Sequence, residues 1–368
     1  MIYLDYASTT PIRKEVMDTY IKTQNNFFAN TTSLHKLGQE SNFMFQKAKK
    51  DLLDSLHLEN HDAIFTANAT EANNLGIFGI VKKYSTGKII TTRIEHPSVF
   101  EAIKELEKLN YDVVYLDVDK NGIIDLDQLK IEMNNSVVLV SVMWVNNIVG
   151  SIQPIEKIID ILKPYKKAKL HVDIVQGLGK IIPLFDFNNV DLLSFSTHKI
   201  YGPKGIGCLL CNNKLDLKKC LFGSNSQRGV KPGTIDLALI VATTKAVKIC
   251  LEELENNYKY VKEINNYFRE QLISNDKITI NSSKDSSPYI INISVPSIYG
   301  ETIVHMFEEK DIYISTGSAC SSKLRKIERT IYAMTNNKEL AKTSVRISFS
   351  HLTSIDEVNA VVLLLKSL

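Results

Sequence analysis

Between about residues 62 and 210 the chain alternates short apolar runs with helically spaced segments, and this alternation constrains the fold more than any other feature. The runs AIFTA (63–67), KIITT (88–92), DVVYLDV (112–118), SVVLVSVMWV (136–145), LHVDIV (170–175), VDLLSFS (190–196) and GIGCLLC (205–211) have strand length and are rich in Val, Ile or Leu. Between them lie helical patterns such as TEANNLGIFGIVKKY, PSVFEAIKELEKLN and PIEKIIDILKPYKK, with Pro97 and Pro154 suited to a first helical turn. Strand and helix in alternation predict βαβ units feeding a mainly parallel sheet with helices on both faces.

Residues 234–275 predict one long helix, because Leu237, Ile240, Val241, Val247, Leu251 and Leu254 recur at helical spacing. Strands at 289–295, 312–316 and 344–350 follow, then a closing helix from Ser354. The expectation is an α/β fold with a large domain over 14–250, built on a seven-stranded sheet, and a smaller α+β domain made of 1–13 and 251–368. At 368 residues the chain exceeds the size at which one core usually stops growing, which agrees with two domains.

Composition narrows the partners. The chain is 44% hydrophobic and 23% charged, which excludes a disordered or fibrous protein. Its net charge of +3 is spread without a basic cluster, so no direct nucleic-acid contact is expected. Five cysteines (Cys208, Cys211, Cys220, Cys250, Cys320) at irregular spacing do not form a disulfide framework and point to a reducing compartment. No basic leader precedes an apolar run and no stretch of about 18 apolar residues occurs, so the expectation is a cytoplasmic protein without membrane contact. Cys208 and Cys211 sit three apart in a strand and face opposite ways, which disfavours a shared metal; no metal site is expected.

Polar residues collect where strands end. SFSTHKIYGPKG (194–205) leaves a strand through Ser196, Thr197, His198 and Lys199 into a Gly/Pro-rich loop, at the edge where open α/β sheets bind ligands. LHVDIVQG puts Asp173 in an otherwise apolar strand, with Gln176 just beyond. A carboxylate buried there needs a cationic partner, and a pyridinium is one. Lys and Asp on successive strand ends are the pair a pyridoxal phosphate site requires, one for the Schiff base and one to keep the ring nitrogen protonated. FTANATEANNLGIF (65–78) reads as strand, turn, helix, so Ala69 and Thr70 lie where a helix N-terminus holds a phosphate. His96 and Asn147 follow two further strands at the same edge.

YLDYASTTPI (3–12), ANTTSLHKLG (29–38), FTANATEANNL, EHPSVF, VNNIVG, HVDIVQ, SFSTHKIYGPKG, RGVKPGT (228–234), STGSACSS (315–322) and TSVRISFSHLTS (343–354) occur in order along nearly the whole chain. This ordered set resembles the cysteine desulfurases, within the class V aminotransferase family of fold-type I pyridoxal phosphate enzymes. The resemblance implies Lys199 as the Schiff-base lysine and Asp173 as the pyridinium partner. It implies Gln176 and Asn147 beside the phenolic oxygen, and His96 as the ring stacked on the cofactor and an acid/base. Ala69, Thr70, Ser196, Thr197 and His198 would hold the phosphate, and Thr234 would complete that site in the partner of a homodimer. Arg346 would bind the substrate carboxylate, a task suited to its bidentate fork. Cys320 would be the nucleophile that takes sulfur from L-cysteine as a persulfide, leaving L-alanine. The GSAC form resembles the branch that delivers sulfur to acceptor proteins for iron–sulfur cluster assembly or tRNA thiolation.

The chain departs from the family pattern in three places. Asn146, Asn147 and Ile148 stand where NNE is common, QRGVKPGT (227–234) where ERGLRSGT is common, and SFSH ending at His351 where SLGR is common. These loops leave open a class V aminotransferase, a selenocysteine lyase, or a weakly active scaffold that binds sulfur acceptors.

Overall fold

The computed structural model describes residues 1–273, 275–317 and 327–368. Strand β1 (Ile2–Tyr3) is followed by β2 (His61–Thr66), β3 (Lys88–Thr92), β4 (Asp112–Leu116), β5 (Val137–Met143), β6 (Lys169–Asp173), β7 (Leu192–Ser196) and β8 (Gly207–Asn212). The last seven form one sheet in the order β2-β8-β7-β6-β5-β3-β4. All pairings are parallel except those of β8, which runs antiparallel to both neighbours. Every residue of the central strand β5 is buried, as a strand covered on both faces must be.

Helices close both faces. The first half of the chain supplies α1 (Lys14–Asn26), α2 (Lys36–Ser55), α3 (Ala69–Val81), α4 (Pro97–Lys108), α5 (Leu126–Glu132) and α6 (Ile155–Leu162). One face packs Leu75, Ile77 and Ile80 of α3 and Val99 and Ile103 of α4 on Ile64, Ile89 and Leu209. The other packs Phe45 and Leu52 of α2 and Ile155 and Ile158 of α6 on Phe65, Val140, Val172 and Phe195. Each such side chain removed from water contributes about 1.5–3 kcal/mol. Cys208 joins one core and Cys211 the other, on opposite faces of β8.

The expected single helix over 234–275 is two, α7 (Leu237–Glu252) and α8 (Leu254–Leu272). Leu237, Ile240, Val247 and Cys250 of α7 belong to a core of the large sheet and Ala242, Ala246 and Ile249 pack on Val16 of α1, whereas Val261, Ile264 and Phe268 of α8 belong to a second core. One straight rod cannot serve both, and the break falls at Glu253, whose carboxylate takes both guanidinium nitrogens of Arg13 at 2.6 Å.

The second core gathers around β9 (Thr279–Ile280), β10 (Ile290–Ser294), β11 (Ile312–Tyr313) and β12 (Ser344–Ser348). β10 pairs antiparallel with β9 and β12, and β1 pairs with β11. Helices α9 (Gly300–Glu308) and α12 (Ile355–Lys366) complete it, whereas α10 (Arg329–Thr335) and α11 (Lys338–Lys342) pack Ile331, Met334 and Ala341 on Ile148 and Val149 in a separate small cluster. A reciprocal Ser354–Glu357 capping box starts α12 where the sequence placed it. Leu4 and Ala7 of the N-terminal segment join this core, which draws that segment between the two units. No helix among the described residues is long and apolar enough to cross a membrane.

Candidate active site

Strands β3, β5, β6 and β7 are parallel, so their carboxyl ends lie along one edge of the sheet. β6 ends on Asp173, and β7 ends on Ser196 and passes into a single helical turn, Thr197–Lys199. The N-terminal segment is latched to that turn: the backbone N–H and hydroxyl of Thr10 both donate to His198 O, at 2.9 and 3.0 Å. The latch delivers two carbonyls to the lysine. Lys199 Nζ donates to Ala7 O at 2.7 Å and to Ser8 O at 2.5 Å, and no carboxylate contacts it. Burial first, then the charges of Arg346 and Lys180, lower its pKa to about 7, against the opposing pull of Asp5 and Asp173. A neutral amine is therefore well populated near pH 7.

Asp173 is 4% exposed and is bound by neutral donors. Val175 N donates to Oδ1 at 3.0 Å and Asn73 Nδ2 to Oδ2 at 2.9 Å. Burial raises its pKa, the mark of a carboxylate short of positive charge. The same Asn73 nitrogen reaches Ser98 Oγ at 2.8 Å, and Ser98 reaches His96 Nδ1 through both Oγ, at 2.8 Å, and its backbone N–H, at 3.1 Å. Because the backbone N–H donates to Nδ1, the ring proton sits on Nε2. Burial and the charges of Lys199, Arg329 and Arg346 lower the His96 pKa to about 4, so its imidazole is neutral.

On the small unit, Arg346 of β12 is 2% exposed. Nη1 donates to Asn147 O at 2.9 Å, and Nη2 to Asp5 Oδ1 at 2.8 Å and Ser8 Oγ at 2.6 Å. Arg346 Nε and Asn73 Oδ1 are buried with no partner among the described residues. Gln176 Nε2 donates to Ala7 O at 2.8 Å. The structure thus brings together Lys199, Asp173, Gln176, His96, Asn147 and Arg346.

The residues expected around the phosphate divide. The N–H groups of Ala69 and Thr70 lie in the first turn of α3, where a helix leaves its donors unpaired. β8 presses against this turn through Gly207, where a Cβ would fall 2.5 Å from the Asn68 carbonyl carbon. His198 Nδ1 meets Thr9 Oγ1 at 3.2 Å, and Ser196 Oγ makes a long 3.5 Å contact with Ile206 O. Thr197 turns away: its hydroxyl meets Thr243 of α7 at 3.2 Å in the core, and its N–H donates to Ile206 O. Thr234 is exposed in the loop before α7. Cys320 lies outside the described residues.

Asn73, Ser98, Asp5, Ser8 and Lys180 belong to the cluster without having been singled out in the sequence. Asn73 carried a readable signal, a fully buried amide inside the apolar helix ATEANNLGIFGIV. The others become site residues only through contacts between distant segments.

A model of the class-V aminotransferases matches residues 2–361. The chain belongs to the class-V aminotransferase family. It is 35% identical over 372 residues to the cysteine desulfurase IscS of Neisseria meningitidis serogroup C, covering 100% of this chain and 91% of that protein. Among solved structures, a NifS-like protein superposes with a TM-score of 0.92 at 29% identity, covering 100% of this chain and 98% of the other. SspA in complex with cysteine superposes with a TM-score of 0.83 at 28% identity, covering 96% and 100%. The fold is fold-type I, and the cofactor is pyridoxal 5′-phosphate. The site fits it: a buried carboxylate lacking a cation, a lysine lacking an anion, unpaired donors at the α3 N-terminus, and two orphaned polar atoms, Asn73 Oδ1 and Arg346 Nε.

Proposed function

We propose that this protein is a pyridoxal-phosphate-dependent cysteine desulfurase that converts L-cysteine to L-alanine and carries the sulfur away on Cys320. The observation that carries the reading is the pairing of a carboxylate-free Lys199 with a buried, cation-free Asp173 on adjacent strand ends. Bound there, pyridoxal phosphate supplies an electron sink conjugated to the substrate Cα.

The chain's own residues do the rest. Asp173 holds the proton of the ring nitrogen, and Asn73 and Val175 N fix its two oxygens for that task. His96, a neutral imidazole, would be the residue to stack on the ring, and Gln176 would be the amide to serve its phenolic oxygen. Arg346 takes the substrate carboxylate, with Nε as the donor the chain leaves free. Lys199, with a pKa near 7, accepts the Cα proton and returns a proton at Cβ. The Cys320 thiolate attacks the substrate Sγ. A new S–S bond forms as the Cβ–Sγ bond breaks and its electron pair passes to the substrate carbon; a proton then added at Cβ and a second returned to Cα give L-alanine. The products are alanine and a Cys320 persulfide.

The same reading places the phosphate on the α3 N-terminus with Ser196 and His198, completed by Thr234 of a second copy. Exposed Phe28, Leu34, Phe43 and Phe222 support a homodimer. The persulfide passes to an acceptor protein, a cluster scaffold or a tRNA thiolation enzyme. The cytoplasm is the compartment assigned, supported by the four described cysteines, all free thiols. The domain division at 14–250 and 1–13 with 251–368 is supported by the separate cores. An aminotransferase, a selenocysteine lyase and an inactive scaffold are not favoured by full-length likeness to a protein named cysteine desulfurase.

The test is alanine and sulfide release from L-cysteine with a reductant, run beside Cys320→Ser. Equal amounts of both products, lost in the variant while cofactor absorbance remains, support the reading. Sulfide release at an unchanged rate from Cys320→Ser overturns the nucleophile, and bound cofactor without alanine overturns the activity.

A further inference from the structure

Beyond Asp173 the chain turns through Gln176 and Gly179 to Lys180. Gly179 has φ +66°, and a Cβ there would fall 2.3 Å from Cys250 Sγ on α7. This turn holds Lys180 inside the protein, 6% exposed, on the wall of a cavity that Lys199 also lines. A buried amine ordinarily needs an anion to stay charged; among the described residues Lys180 has no ion pair, and burial together with the charge of Arg346 lowers its own pKa to about 7. Its hydrogen bond goes to Gln176 Oε1, at 3.0 Å.

That bond fixes an otherwise ambiguous amide. Lysine only donates and a carbonyl only accepts, so the Gln176 oxygen must face Lys180 and its nitrogen must face Ala7 O, 2.8 Å away. Ala7 O is also the acceptor for Lys199 Nζ at 2.7 Å. A continuous chain therefore runs from Lys180 through Gln176 and Ala7 to Lys199.

We propose that Lys180 is a positioning residue for the reaction: its bond fixes the Gln176 amide and, through the Ala7 carbonyl that Gln176 and Lys199 share, sets the place and the charge of the Lys199 amine. The proposal rests on the assignment of Lys199 as the cofactor lysine. The charged groups around Lys199 are Arg346 from β12, Lys180 from the turn after β6, Asp5 from the N-terminal segment and Asp173 from β6. Arg13, Tyr201, Cys250, Glu253, Tyr289 and His351 line the shared cavity, where Arg13 and Glu253 neutralise one another. Lys180 is thus the cation that one substitution can remove without touching the carboxylate-binding Arg346.

The test compares Lys180→Met, Lys180→Gln and Lys180→Arg with the unsubstituted full chain, each checked for fold by circular dichroism. Lys199 is labelled in the cofactor-free chain with acetic anhydride across pH 5–10 and read by peptide mass spectrometry. The expected midpoint lies near pH 7 in the unsubstituted chain, rises by about one pH unit or more in Lys180→Met and Lys180→Gln, and stays within a few tenths in Lys180→Arg. In the loaded protein, the pH midpoint of the cofactor absorbance moves in Lys180→Met and is restored in Lys180→Arg. An unchanged Lys199 midpoint in a folded neutral variant overturns the proposal. Should Lys180→Met not fold, Lys180→Gln, which keeps a donor for Gln176, carries the same test. Absence of any cofactor absorbance in the unsubstituted protein would instead overturn the cofactor-lysine assignment, leaving the labelling comparison to decide the Lys180–Lys199 coupling alone.

Discussion

Arg346 and Asp5 form an ion pair of 2.8 Å across the junction of the two cores, with the guanidinium 2% exposed and the carboxylate 21% exposed. Ser8 and the Asn147 carbonyl take other guanidinium hydrogens, and Nε is left without a bond partner among the described residues. Asp5 thus pre-sets the arginine and keeps its charge compensated before substrate arrives.

Arg346→Lys should raise the KM for L-cysteine by about tenfold or more with a smaller change in kcat, because a single ammonium cannot serve Asp5, Asn147 O and a carboxylate together. Asp5→Asn should lower stability by about 2–3 kcal/mol, since it strands a nearly inaccessible cation. Steady-state kinetics and denaturant titration check the pair. An unchanged KM in Arg346→Lys would remove Arg346 from the substrate site.

Asn73 is the clearest case of a residue that supports another. It is fully buried and spends Nδ2 on Asp173 and Ser98. Asn73→Ala should leave Asp173 with the Val175 N–H alone and weaken cofactor retention by about tenfold, consistent with roughly 1–1.5 kcal/mol for one lost buried bond. Dialysis followed by absorbance of the retained cofactor measures this directly, and full retention would show that Asn73 only packs.

Acid should destabilise the protein through its buried neutral histidines. Burial lowers His171 to about 3, and lowers His96 and His198 to about 4, Lys199 adding to the last two. Each binds its proton more readily unfolded, near 6.5, than folded. The contribution of these histidines is therefore complete above about pH 6.5 and is lost as pH drops toward 4. His171 is the cleanest probe, fully buried between the Ser141 and Ser194 hydroxyls at 2.8 and 3.0 Å. His171→Gln should flatten the slope by up to about 1.4 kcal/mol per pH unit between pH 6 and 4, measured by urea unfolding at fixed pH.

Strand periods and strand-end polar residues made the sheet and much of the site readable before any coordinates. KIITT (88–92) is a strand with the expected ends, and all seven expected strands of the large sheet are present. What sequence spacing cannot carry is contact between segments far apart in the chain. Asp5 meets Arg346, and Ala7 meets Gln176 and Lys199, only after the N-terminal segment has been drawn between the two cores. The helical region over 234–275 divides into two helices for a related reason. Its apolar period continues across Glu253 while the core it faces changes, and a one-dimensional pattern does not record which core a residue joins. The family resemblance implies Thr197 at the phosphate, whereas here the tight turn sends its hydroxyl to Thr243.

Glu95 opens the EHPSVF segment beside His96 and was given no role of its own in the sequence. It is 1% exposed; Oε1 accepts from Thr92 Oγ1 at 2.8 Å and Met143 N at 3.0 Å, while Oε2 has no partner. Burial, helped by the charge of Asp173, raises its pKa to about 8, against the donors and Arg329, which hydrogen-bonds the Glu95 carbonyl. An acid raised in the folded state favours folding below its unfolded pKa and loses that contribution as pH rises through the folded value. Stability should therefore decline between about pH 5 and 8 on account of Glu95. Glu95→Gln keeps the Oε1 acceptor and cannot ionise, so it should match the unsubstituted protein near pH 5 and exceed it by on the order of 2–4 kcal/mol at pH 8. Unfolding midpoints of both proteins across that range decide the matter. A difference that stays flat with pH would mean that Glu95 is ionised throughout, with the Arg329 guanidinium, stacked 3.6 Å over Phe100, as its counter-charge.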